Sequence, residues 1–213
     1  MLISNSEKRR GDALKSEPKL DQSLNHSHSQ ASVKLGSLGT NIKSEVFVIQ
    51  KYIEKPLLID KRKFDIRLWV LISQDMRCYI FREGYIRTSS YIFTLEQSHL
   101  DHPFIHLTNN AVQQIDKNYG KLEEGNQLSF AQATKLIQSQ QNRKVDFYEI
   151  MEQQIEPVVI MTLKSVEAKI NPNQRRFCFE IYGYDFMIDQ SLKAWLIEVN
   201  TNPCLEETSQ LLR

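Results

Sequence analysis

Residues 176–189 read RFCFEIYGYDFMID, and after Gln190-Ser191-Leu192 the chain continues as KAWLIEVN over 193–200. Both runs are rich in aromatic and β-branched residues and are bounded by polar turn residues, which predicts two strands joined as a hairpin. Alternation then sorts the side chains between the two faces. In the second run Glu198 and Asn200 share one face, while Ile197 and Val199 point the other way. In the first, Asp185 stands among Ile, Tyr, Phe and Met. Carboxylates are seldom buried unless they are paired or bound to a cation. A hairpin that offers oxygens of Asp185, Glu198 and Asn200 on one side has the donors that Mg²⁺ bridging nucleotide phosphates requires. The same pattern also fits an amphipathic strand whose polar face meets water, and spacing alone leaves both open.

Upstream, FDIRLWVLIS (64–73) predicts another strand, with Asp65, Arg67, Trp69 and Leu71 on one face and Ile66, Leu68, Val70 and Ile72 on the other. Lys63 precedes it. RCYIFREGYIRTS (77–89) predicts two short strands around Arg82-Glu83-Gly84, giving an antiparallel meander with Arg87 on the neighbouring ribbon. Cations such as Lys63, Arg67 and Arg87 opposite a carboxylate site suit a transferring phosphoryl group or an acyl phosphate. Any one such pair taken singly also reads as a surface salt bridge. VFVIQKYI (46–53) predicts a buried strand ended by Glu54-Lys55-Pro56, and the backbone amides of Gln50–Ile53 suit a purine edge. HLTNNAVQ (106–113) is a turn or a short element. Helices are predicted over 128–140 and 145–170. In the second helix Phe147, Met151, Ile155, Val159, Leu163, Val166 and Ile170 form one apolar stripe, which Pro157 should kink or divide. The elements together predict an α+β fold, an antiparallel sheet of five or six strands packed on these helices.

The chain has 213 residues, enough for one domain or little more at about 150 residues per domain. Its 27 Lys and Arg balance 26 Asp and Glu, so no basic excess matches a nucleic acid or an anionic membrane surface. No apolar run approaches the roughly 18–20 residues of a membrane span, and the start of the chain lacks the pattern of a signal peptide. Cys78, Cys178 and Cys204 form neither a disulfide framework nor a zinc pattern, which suits a reducing, cytosolic compartment. Every Phe, Tyr and Trp falls at or after Phe47. We therefore expect residues 1–45 to be a mostly disordered linker or insertion and 46–213 to carry the folded domain. His26 and His28 flank Ser27 in that linker and read as a solvated loop rather than a metal site. Gly is only 7 of the 213 residues, and no Gly-rich phosphate loop is present.

The blocks QKYIEKPLLI, KFDIRLWVL, FREGYIRTSS, HLTNNAVQ, NYGKLEEGN and YGYDFMID…AWLIEVNTNP occur in this order between residues 46 and 206. Their combination resembles the tubulin–tyrosine ligase family of ATP-grasp amino-acid ligases. The resemblance implies the C-terminal part of an ATP-grasp-like fold, an antiparallel sheet flanked by helices. It implies that Gln50, Lys51, Tyr52 and Ile53 receive the adenine of ATP, and that Lys63 and Asp65 contact its ribose and phosphates. Thr108 and Asn109 would line the nucleotide site. Arg67 and Arg87 would face the transferring phosphate and the acyl phosphate, and Asp185, Glu198 and Asn200 would hold Mg²⁺. The implied reaction is amide bond formation: a carboxylate attacks the γ-phosphorus of ATP, and an amine then attacks the acyl phosphate and releases phosphate. Such chemistry needs positioning and charge stabilisation rather than a nucleophilic side chain.

The implied partners are the tubulin C-terminal tail, microtubules and a free amino acid, with no nucleic acid and no membrane. The implied location is cytoplasmic, on the cytoskeleton or at a cilium or basal body. YIRTSS and NYGKLEEGN look closest to the tyrosine-adding members, whereas NTNPCLE is more typical of the glutamylase and glycylase branch. Tyrosine, glutamate and glycine therefore all stay open. An acidic tail calls for a basic surface, which this near-neutral chain does not itself supply. In the family the Gly-rich loop precedes the region matched here, so the chain reads as a fragment, expected alone to bind ATP weakly and not to ligate. The alternative is a non-catalytic module that keeps the fold and binds nucleotide or tubulin.

Overall fold

The computed structural model describes residues 49–205 and Leu211. The linker expected over 1–45 lies outside the described residues. The described residues fall in two units, one holding Ile49–Tyr52 and the other beginning at Ile53. Ile49–Tyr52 are irregular, and Ile49 is 95% exposed. The strand expected over 46–53 is thus not formed at residues 49–53. A strand is stabilised by ladder hydrogen bonds to a neighbour, and no described strand pairs with this segment.

The larger unit is built on one antiparallel sheet. Its strands are β1 (Leu58–Ile59), β2 (Arg62–Ser73), β3 (Cys78–Ile80), β4 (Tyr85–Ile92), β5 (Gln127–Ser129), β6 (Phe179–Ile188) and β7 (Ala194–Thr201). The order is β5-β4-β2-β6-β7, with β1 and β3 also paired to β2. Seven strands replace the five or six expected because β1 and β5 are ladders of two and three residues. Central β2 has the alternation the sequence carries: Ile66, Leu68, Val70 and Ile72 are buried on one face.

The stretch after β2 is not a meander. β3 runs along Val70–Ile72 and β4 along the first half of β2, both antiparallel to it. They are two parts of one ribbon, interrupted at Phe81–Gly84, where the Phe81 N–H still donates to the Trp69 carbonyl at 2.9 Å. Gly84 lets the ribbon close back onto β2. A Cβ there would overlap Leu68 Cδ2 and lie 2.9 Å from both the Arg67 carbonyl and Phe130. Gly84→Ala should therefore destabilise the fold by about 1–3 kcal/mol, read as a lower urea midpoint with an unchanged slope.

The helical elements are α1 (Pro103–His106), α2 (Asn110–Gln113), α3 (Phe130–Gln141), α4 (Phe147–Ile150) and α5 (Glu156–Ile170). Ser129 and Gln132 close α3 with a reciprocal capping box. The helix expected over 145–170 is divided, as Pro157 requires. A π turn, Met151–Ile155, joins α4 to α5 and leaves Pro157 in the first turn, where its missing N–H needs no partner. Phe147, Met151, Ile155, Val159 and Leu163 keep one buried stripe through that change of pitch, while Val166 leaves the core. α3 to α5 cover the apolar face of the sheet. Phe147 stands 5.9 Å from Phe64 and 5.6 Å from Phe130, ring centre to ring centre. Burying each such side chain is worth about 1.5–3 kcal/mol.

The last hairpin forms as read. The Asp189 carboxylate accepts from the backbone of Ser191 and Lys193 at 2.8 and 3.1 Å and from Trp195 Nε1 at 2.8 Å, which fixes the turn. A bulge follows: Phe186 opposes Leu196 but Asp185 opposes Glu198, so Ile197 is the extra residue. Leu196 consequently packs on the core while Glu198 stands beside Asp185.

Candidate functional site

The face of the sheet opposite the helices carries charge where the other carries hydrocarbon. On β2, Lys63, Asp65 and Arg67 share this face by alternation. Across β4, Asp65 opposes Arg87; across β6, Arg67 opposes Asp185. The register makes two bidentate pairs. Arg87 Nε and Nη2 donate to Asp65 at 2.7 and 2.6 Å, and Arg67 Nε and Nη2 donate to Asp185 at 2.5 and 3.0 Å. Arg87 also reaches Asp185 Oδ2 at 2.9 Å, linking both pairs into one chain of alternating sign. Asp65, Arg67, Arg87 and Asp185 are all at least nine-tenths buried.

Burial opposes ionisation of Asp185, but the Arg67 hydrogen bond and the charges of Arg87 and Arg67 outweigh it and hold its pKa below the usual carboxylate range. Burial likewise opposes the charge on Arg87, and the adjoining Asp65 and Asp185 more than restore it, so its pKa is raised. Lys63 differs. Burial pushes its ammonium down to about 8 against the pull of Asp65. Its Nζ donates to the His106 carbonyl at 2.7 Å.

The segment 103–113 borders this face. Thr108 is buried and its hydroxyl donates to Asp65 Oδ2 at 2.7 Å. Asn109 is exposed and accepts from the Ala111 N–H at 2.9 Å, capping α2. Residues outside the predicted site fasten this region. Gln113 is fully buried: its Oε1 accepts from the Ser90 N–H and hydroxyl at 2.9 and 2.7 Å, and its Nε2 donates to the Leu107 carbonyl. Arg62 forms a bidentate pair with Glu123, both contacts at 2.9 Å. Alternation carries a signal for Arg62, since it falls on the Phe64–Ile66 face, where a cation needs a partner. Nothing local marks Glu123, 61 residues away, as that partner.

At the hairpin, Asp185, Glu198 and Asn200 are brought together as read. Asn200 Nδ2 donates to Glu198 Oε1 at 2.9 Å and lies 3.5 Å from Asp185 Oδ2. Gly183, opposite Asn200, leaves room for Pro203, whose Cβ would lie 2.9 Å from a Cβ there, while the Arg67 side chain would be in ordinary contact at 3.5 Å. Two carboxylates and an amide suit a hard divalent cation, and the Asn200 side chain needs only to turn over to offer its oxygen. Among the described residues, no cluster of three or more His, Cys, Asp and Glu side chains is arranged for a metal. Gln50, Lys51 and Tyr52 are exposed and belong to the other unit, and Ile53 alone falls in this one. No described helix is long and apolar enough to cross a membrane.

The family model described as the tubulin-tyrosine ligase family matches residues 5–213. Tubulin glycylase 3B of Tetrahymena thermophila is 37% identical over 172 residues, covering 79% of this chain and 14% of that protein. The probable tubulin polyglutamylase TTLL9 of Mus musculus is 38% identical over 168 residues, covering 78% of this chain and 35% of that protein. The chain thus spans between 14% and 35% of the length of these curated relatives. With the family match running through nearly its whole length, this chain belongs to the tubulin–tyrosine ligase family.

Proposed function

We propose that this chain carries part of the active site of an ATP-dependent ligase that joins glutamate or glycine to a carboxylate of the tubulin tail. The observation that carries the reading is the buried network Asp65–Arg87–Asp185–Arg67 on the face of the sheet opposite the helices. Buried ion pairs contribute little to stability compared with hydrocarbon of the same volume. Four such groups side by side are better explained by anionic reactants than by folding. The relatives, named as a glycylase and a polyglutamylase, favour those two amino acids over tyrosine.

In this reading Lys63, Asp65, Thr108 and Asn109 hold the nucleotide and Gln50–Ile53 supply its adenine contacts. Arg67 and Arg87 steady negative charge on the transferring phosphoryl group, with the aspartates fixing each guanidinium plane in advance. Asp185, Glu198 and Asn200 would hold Mg²⁺. When bound, the ion neutralises phosphate charge. Microtubules are the proposed site of action, in the cytoplasm or at a cilium.

Lys63 makes the reading pH-dependent. Its ammonium is charged below about pH 8 and neutral above, and a neighbouring phosphate would raise that value. ATP affinity should therefore be level below about 8 and weaken above it. Lys63→Arg should remove the decline, because a guanidinium stays charged throughout this range. Calorimetric titration of the complete protein with ATP and Mg²⁺ across this range checks both. The function itself is tested by incubating the complete protein with ATP, tubulin and labelled glutamate, glycine or tyrosine. Incorporation of glutamate or glycine is the expected result. ATP binding without incorporation of any of the three would favour the non-catalytic module.

A further inference from the structure

Tyr85 lies two residues before Arg87 on the same face of β4, directly across the ladder from Arg67. It is 7% exposed, and its ring packs against Trp69 with centroids 5.3 Å apart. Among the described residues its hydroxyl makes no hydrogen bond. Its oxygen is not among the fully buried unpaired polar atoms, so a ligand can reach it. Burial is the largest influence on this hydroxyl and pushes its pKa up, the two arginines and two aspartates of the network acting on it in opposite senses. At neutral pH it is therefore a neutral donor.

The arginines leave a matching surplus. Arg67 spends Nε and Nη2 on Asp185, and Arg87 spends the same atoms on Asp65 and Asp185. The Nη1 group of each makes no hydrogen bond among the described residues. The face thus presents two guanidinium donors and a phenol donor, with the nearby carboxylates already engaged. A ligand that satisfies all three must bring anionic oxygens. Its character is set by what lies beyond Arg67. Trp69 follows on the same face, with the rings of Phe81 and Tyr85 6.0 and 5.3 Å from it. Such an aromatic wall suits the methylene groups of an amino acid or a glutamyl side chain, whereas Lys63, toward the other end of β2, suits phosphate.

We propose that Tyr85 is a substrate-binding residue whose hydroxyl donates to a carboxylate oxygen of one of the two molecules joined by the ligase. The inference rests on the ligase reading above and adds to it the group that holds a carboxylate substrate rather than ATP. The two possible sources are the free amino acid and the acceptor side chain of the tubulin tail.

The test compares Tyr85→Phe with the unsubstituted complete protein, varying amino acid, tubulin and ATP in turn and recording the melting temperature. The variant should lose about ten- to a hundredfold in kcat/KM for one carboxylate substrate, the effect of one charge-assisted hydrogen bond. KM for ATP should stay within about twofold, and the melting temperature should be unchanged, because the hydroxyl removed has no hydrogen-bond partner among the described residues. A rise in KM confined to the amino acid assigns its carboxylate; a rise confined to tubulin assigns the acceptor. Unchanged kcat/KM for both, a loss that tracks a lower melting temperature, or a loss seen only toward ATP would each overturn the proposal while the ligase reading stood. Absence of transfer by the unsubstituted protein would overturn the ligase reading and this inference with it.

Discussion

Asp185→Asn should destabilise the folded protein by about 3–5 kcal/mol, the usual consequence of removing one partner from a buried ion pair. Asp185 is 3% exposed and accepts from both Arg67 and Arg87. An asparagine keeps the volume but cannot neutralise Arg67, which pairs with no second carboxylate among the described residues, whereas Arg87 retains Asp65. Solvent screening gives little relief at this depth. The pH dependence carries a definite sign. Because the folded-state pKa of Asp185 is depressed, its contribution is fully present above the unfolded-state value of about 3.9 and is lost as pH falls through the folded-state value. Urea titrations should accordingly give a difference between parent and variant that is level from neutral pH to about 5 and shrinks below about 4. A difference under about 1 kcal/mol at neutral pH would mean that desolvation of the carboxylate cancels what the arginines return.

Glu198→Gln should have the opposite profile. Glu198 is exposed, on the outermost described strand, and its one hydrogen bond among the described residues is to Asn200. Stability should stay within about 0.5 kcal/mol of the parent, as for most surface substitutions. Under the ligase reading, amino-acid transfer to tubulin should nevertheless fall by about a hundredfold or more, since a charge facing the reacting phosphates is lost with almost no change in volume. Incorporation assays and urea titrations on the same preparation check the two parts together. Parental transfer in this variant would remove Glu198 from the ion's ligands and leave Asp185 and Asn200 without a third.

How far the molecule could be read in advance follows the range of the forces involved. Alternation along β2 is local, and it correctly separated the hydrocarbon of Ile66, Leu68 and Val70 from the charges of Asp65 and Arg67. The helix division at Pro157 and the turn at Asp189 were equally legible, because each depends on the chemistry of one or two residues. Strand partnership is not local. Val46–Ile53 has the composition of a strand, yet a ladder needs a neighbour, and residues 49–53 remain irregular. The ribbon after Cys78 likewise offered a plausible turn at Arg82–Gly84, and only its hydrogen bonds to β2 show that it runs on. Within the site, sign and face could be read from Asp65, Arg67 and Asp185. The fastenings could not: Gln113 bridges to Ser90, and Arg62 to Glu123, across gaps in sequence that carry no periodic mark.

The extra residue at Ile197 has a bearing on how this hairpin tolerates change in length. Strict alternation from Ala194 would put Leu196 and Glu198 on one face, yet one packs on the core and the other stands beside Asp185. Ile197, half exposed, resets the phase between them. The strand is therefore a spliced pair of half-strands, each keyed to its own surroundings, with a spacer between. Omitting Ile197 would close the ladder and still send Leu196 inward and Glu198 toward Asp185. Omitting Val199, two positions on, would turn Asn200 away from the carboxylates. Neighbouring single-residue deletions thus have opposite fates, and insertions or deletions, rather than substitutions, are the changes to which this strand is most unevenly sensitive.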